Sequence, residues 1–130
     1  MKTKHVFLSL LLMLVVSVGA AQAQAVKQLN SPEVSQLLKK NPKMVVLDVR
    51  TAEEFAEGHL KGAKNIDIRQ PDFFSRVDQL DKKATYLLYC RTNRRSTSAV
   101  EYMTQKGFQH LYQMMDGFPG WAANNLPSEK

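Results

Sequence analysis

The chain has 130 residues, a length suited to one domain, with 18 lysines and arginines against 12 aspartates and glutamates and a formal net charge of +6. That mildly basic balance favours small anions or anionic patches as partners and excludes the dense basic character of a nucleic-acid binder. The single cysteine, Cys90, excludes an internal disulfide.

Residues 1–25 read as a secretory signal peptide. Lys2, Lys4 and His5 form a basic start, and Val6 to Val18 is a 13-residue apolar stretch interrupted only by Ser9 and Ser17. Small residues follow, with Ala-Gln-Ala patterns suited to cleavage after Ala23 or Ala25. A bilayer needs roughly 20 apolar residues to span, so the run is short for a membrane anchor. Cleavage would leave one domain over residues 26–130, with 16 basic and 12 acidic residues. The expected location is the periplasm, with no stable membrane anchor. Exported small domains use cysteines in pairs, so a lone thiol is either buried and inert or kept free for reaction.

Ser31-Pro32-Glu33 predicts a helix start with Ser31 as cap, and Val34, Leu37 and Leu38 supply its apolar face. Asn41 and Pro42 end it. Met44 to Val49 is an apolar run without alternation, as expected of a strand buried on both faces of a parallel sheet. A short helix is predicted over Ala52 to Glu57, stopped by Gly58. A short strand follows over Ala63 to Ile68, then an amphipathic helix over Pro71 to Leu80 carrying Phe73, Phe74 and Val77. Thr85 to Tyr89 is the second strong strand and delivers Cys90 at its C-terminal end. Ser96 to Lys106 is predicted helical with Gly107 as its stop, His110 to Gln113 as a last strand, and Asp116 to Trp121 as a tight turn into a final helical turn. Strands alternating with helices imply an α/β domain with a parallel sheet, and sites in such sheets form at the C-terminal strand ends.

Cys90 stands at such an end, ahead of Arg91-Thr92-Asn93-Arg94-Arg95-Ser96. Positive charge and a helix N-terminus both favour a thiolate, and a curled loop turns its own amides toward an anion. Asn93 suits such a curl because asparagine tolerates the left-handed backbone region. These residues alone leave open whether Cys90 is a nucleophile or core filler.

Asp48-Val49-Arg50, Glu54-Phe55, Gly58-His59-Leu60, Gly62-Ala63 and Asn65-Ile66 resemble the first signature of the rhodanese (sulfurtransferase) domain. Cys90 to Ser96 is similar to its active-site loop, and Asp116 to Trp121 to its closing glycine-and-tryptophan motif. The likeness runs from about Gln28 to Leu126. It implies a three-layer α/β domain with a parallel five-stranded sheet flanked by helices. It also implies that Cys90 accepts a sulfane sulfur as a persulfide, from thiosulfate or a persulfide donor, and passes it to cyanide or a thiol. One position departs from the family: the fourth loop residue is most often glycine and here is Asn93, which points to altered substrate preference.

On this reading Cys90 is the catalytic nucleophile and residues Arg91, Thr92, Asn93, Arg94, Arg95 and Ser96 bind the substrate. Arg95 orients the anion or braces the loop, while Arg91 and Arg94 steer anions at the mouth. Asp48 and Arg50 brace the loop through ion pairs. The chemistry is covalent and ping-pong, and calls for no metal, no organic cofactor and no obligatory base. His59 and His110 are expected to be structural, no His and Cys stand at metal spacing, and the protein is expected to be a monomer. Two other readings compete: a persulfide carrier in a sulfur relay, and a cysteine phosphatase or arsenate-type reductase. Tyrosine phosphatases place an arginine six positions after the cysteine, whereas here that position is Ser96 and the arginine is Arg95. The shorter loop suits a sulfur atom better than a phosphoryl group.

Overall fold

The computed structural model describes residues 26–130. The proposed signal peptide lies outside them. Five strands form one parallel sheet: β1 (Lys27–Leu29), β2 (Val45–Asp48), β4 (Lys64–Asn65), β5 (Thr85–Tyr89) and β6 (His110–Met114), in the order β1-β6-β5-β2-β4. A separate antiparallel pair joins β3 (His59–Leu60) to β7 (Ser128–Glu129). The helices are α1 (Ser31–Lys40), α2 (Ala52–Glu57), α3 (Phe73–Asp78), α4 (Arg94–Gln105) and α5 (Gly117–Ala123).

Side chains of a strand alternate between the two faces of its sheet, and this divides the core in two. From β5, Tyr86, Leu88 and Cys90 join Leu47, Val49, Phe73, Val77, Val100 and Met103 on the face covered by α3 and α4. Leu87 and Tyr89 join Val34, Val46, Leu60, Met114 and Trp121 on the face covered by α1 and α5. Cys90 thus points toward the helix that follows it, while its neighbour Tyr89 points away.

Several local expectations change. The cap of α1 is Asn30, one residue before Ser31: its side chain accepts from the Glu33 amide, and Glu33 answers on the Asn30 amide. Ser31 is buried instead, and its hydroxyl donates to Asp116 at 2.8 Å. Helix α4 begins at Arg94, two residues early, and Asp116 to Trp121 mostly belongs to α5 rather than to a turn. Strands β1, β3 and β7 have only two or three residues each and depend on distant partners, so no local pattern announces them.

Beneath β2 and β5, on the α1/α5 face, lies a polar network. Asp48 and Arg50 pair at 2.7 Å with almost no exposure, and Arg50 also donates to the Gly58 carbonyl at 2.6 Å. The Tyr89 hydroxyl donates to Asp48 at 2.5 Å and accepts from the Leu60 amide at 3.1 Å. Burial, then the Asp48 charge, push the Tyr89 phenol well above its ordinary pKa, so it stays a donor. Replacing Tyr89 by Phe leaves a buried amide unpaired and Asp48 without one donor. We expect a loss of about 1–3 kcal/mol, seen as a lower urea midpoint with unchanged denaturant slope.

Candidate active site

Cys90 is buried at the end of β5. Its Sγ accepts from the Ser96 amide at 3.4 Å and lies 3.6 Å from the Ser96 hydroxyl. The Ser96 amide lies within the first turn of α4, where N–H groups have no partner inside the helix, so the positive end of α4 is directed at the sulfur. The chain between them, Arg91 to Asn93, is a tight connection with Arg91 and Thr92 exposed.

The back of this loop rests on the start of α5. The Phe118 amide donates to the Cys90 carbonyl at 3.0 Å. Gly117 has φ 63°, and a Cβ there would fall 2.0 Å from the Arg91 carbonyl oxygen. Only glycine satisfies both the backbone conformation and the close approach.

The predicted site residues separate. Ser96 alone among them hydrogen-bonds the sulfur. Arg95 makes no hydrogen bond to it and instead forms a two-pronged ion pair with Glu54 at the start of α2, at 2.7 and 3.0 Å. Its hydrogen bonds hold the Glu54 carboxyl down at about 2, against the opposing effect of partial burial. Asn93 has φ −143°, so it does not use the left-handed region, and the expected curl is made without it. Instead its side chain donates to the Met115 carbonyl at 3.4 Å. Arg91 and Arg94 are exposed.

Asp48 and Arg50 make no hydrogen bond to the Arg91–Ser96 loop; they bond each other, Gly58, Tyr89 and Asn65. The reason is strand parity: Asp48 lies with Tyr89 on the face opposite Cys90. Arg50 does reach the mouth, stacking over Phe118 at 4.5 Å. With Arg91, Glu54, Glu57, Phe118 and Pro119 it lines a cleft of about 350 Å³ beside the loop. His59 bonds the Phe55 carbonyl at 2.8 Å and stacks on the Phe55 ring, with no contact to the sulfur.

Sequence reasoning missed two residues of the loop's support. Glu54 anchors Arg95 from α2, and Gln113 reaches from β6 to Ser96, Thr97 and the Asn93 carbonyl. Glu54 carried a signal as the reciprocal cap Thr51-x-x-Glu54, which accounts for its position but not for its partner.

Two outcomes follow. The depressed Glu54 carboxyl stabilises the fold fully above its ordinary value of 4.5, and this contribution fades as pH falls toward about 2. Wild type should therefore melt above Glu54→Gln near neutrality, and the gap should close in melts run at successively lower pH. Gly117→Ala should displace the Arg91 carbonyl and lower the melting temperature, by about 1–3 kcal/mol of stability, with Cys90 alkylated faster than in wild type.

Comparison with known proteins agrees with this geometry. The family described as "Rhodanese-like domain" matches residues 31–124. The chain is 37% identical over 98 residues to the thiosulfate sulfurtransferase GlpE of Pseudomonas putida (strain GB-1), covering 75% of this chain and 86% of that protein. Among solved structures, it is similar to the rhodanese-like domain of the Anabaena sp. Alr3790 protein, with TM-score 0.72 and 25% identity over 81% of this chain and 80% of that one. It is also similar to the polysulfide-sulfur transferase homodimer of Wolinella succinogenes, with TM-score 0.67 and 25% identity over 80% and 78% of the two chains. A parallel five-stranded sheet, a cysteine at the end of its central strand and a matching family over most of the described residues agree: the chain belongs to the rhodanese-like domain family.

Proposed function

We propose that this protein is an exported sulfurtransferase that carries sulfane sulfur on Cys90. The observation that carries the reading is the Ser96 amide at the start of α4, aimed at the Cys90 sulfur at 3.4 Å. Family membership supports sulfur transfer in general, and the relative named thiosulfate sulfurtransferase supports thiosulfate as a donor.

In the proposed reaction the Cys90 thiolate attacks the outer sulfur of thiosulfate. The Cys90–S bond forms, the S–S bond of thiosulfate breaks, and its electron pair leaves with sulfite. Cyanide or a thiolate then attacks the outer sulfur of the persulfide; thiocyanate or a new persulfide departs and the Cys90 thiolate returns. The persulfide bears one negative charge, which the N-terminal end of α4 favours. Cys90 is fully covered, so loading requires the Arg91–Asn93 segment to move aside. Arg91 stands exposed above the neighbouring cleft, where its charge attracts the anionic donor. Thr92, Asn93 and Arg94 complete the proposed substrate-binding loop. Arg95 acts on the substrate indirectly, by tying the first turn of α4 to α2.

Complete burial of Cys90 favours a second reading, a carrier in a sulfur relay that loads and unloads only against a protein partner. The phosphatase reading is disfavoured because Arg95 spends its guanidinium on Glu54. The basic start, the short apolar run and the Ala-Gln-Ala sites support cleavage after Ala23 or Ala25 and a periplasmic mature protein.

The test combines mass spectrometry with turnover. Thiosulfate should add one sulfur atom at Cys90, and thiosulfate with cyanide should yield thiocyanate. Cys90→Ser should lower thiocyanate formation by at least about a thousandfold with the melting temperature retained. Adduct without turnover would select the carrier, and no adduct on folded, reduced protein would sink both readings.

A further inference from the structure

We propose that Gln113 is a positioning residue for sulfur transfer, acting through the Ser96 hydroxyl; the inference rests on Cys90 being the sulfur carrier. Gln113 is 1% exposed and sits in β6 between the apolar residues Tyr112 and Met114. A buried amide is costly unless its hydrogens are used. Parity turns Gln113, like Leu111, to the same sheet face as Cys90, and its register partner in β5 is Leu88, two residues before the cysteine. From there Nε2 reaches Ser96 Oγ and Thr97 Oγ1, each at 2.9 Å, and the Asn93 carbonyl at 3.2 Å.

The consequence lies in the hydroxyl. Ser96 Oγ accepts from Gln113, so its own single hydrogen must be donated elsewhere. Two acceptors are in range, the Asn93 carbonyl at 3.2 Å and the Cys90 sulfur at 3.6 Å. While Cys90 is a thiol, its hydrogen faces Ser96 Oγ and the serine donates to Asn93. Once the sulfur is anionic, rotation about the serine Cβ–Oγ bond turns the hydrogen to the sulfur, beside the Ser96 amide already aimed there. No proton leaves the serine. Gln113 keeps the oxygen in place in both states, so the donor is ready without rebuilding the loop. The other Gln113 partner, Thr97, has no such path to the sulfur.

The test is a double-mutant cycle on the purified protein, reading single-turnover release of sulfite from thiosulfate together with thermal melts. Gln113→Met and Ser96→Ala should each slow loading by about tenfold. Their combination should be no slower than Ser96→Ala alone, and Thr97→Val should stay within about twofold of wild type. Equal slowing by Gln113→Met with and without Ser96, no slowing at all, or slowing by Thr97→Val as large as by Gln113→Met would overturn the proposal. If Gln113→Met does not fold, Gln113→Leu takes its place, since it too removes the donor without adding a charge. If wild type accepts no sulfur, the functional reading fails by itself. The same cycle read as the rate of Cys90 alkylation by iodoacetamide then decides the Gln113–Ser96–Cys90 coupling.

Discussion

Strand β5 sends Tyr89 and Cys90 to opposite faces of the sheet, and the rest of the molecule is arranged around that division. On one face the Tyr89 hydroxyl completes a buried network with Asp48 and Arg50. On the other, Cys90 meets the first turn of α4. One residue of register slip would exchange the two side chains, placing a phenol under the active loop and a thiol against Asp48. The pairing of β5 with β2 and β6 on either side, over four residue pairs each, prevents it.

The loop itself is held from three directions. Arg95 ties its end to α2, Gln113 ties its floor to β6, and Gly117 admits the Arg91 carbonyl against α5. The support comes from side chains and backbone that are distant in sequence but converge at the C-terminal ends of parallel strands, where the chain leaves the sheet and backbone groups are free of the ladder. The arginines divide accordingly: Arg95 is structural, whereas Arg91 keeps its charge at the mouth of the cleft.

Much of the architecture was legible in the residues. Apolar runs without alternation announced β2 and β5, Gly58 ended α2, and the position of Cys90 after β5 placed the candidate site. The closing motif was read as a turn because Gly117, Pro119 and Gly120 disfavour helix; in the fold their smallness and fixed φ let α5 begin against the loop. The left-handed role assigned to Asn93 failed because the loop enters α4 early and curls with ordinary backbone angles.

The sequence by itself determined that this is an α/β chain with its lone thiol at a strand end before a helix, because strand and helix periodicity, caps and breakers are local properties of consecutive residues. Only the tertiary structure decided which groups face that thiol. Partner choice depends on strand parity, register and the meeting of elements tens of residues apart: Asp48, adjacent to the site by motif, falls on the far face, while Glu54, legible only as a helix cap, and Gln113, unremarkable in sequence, hold the loop.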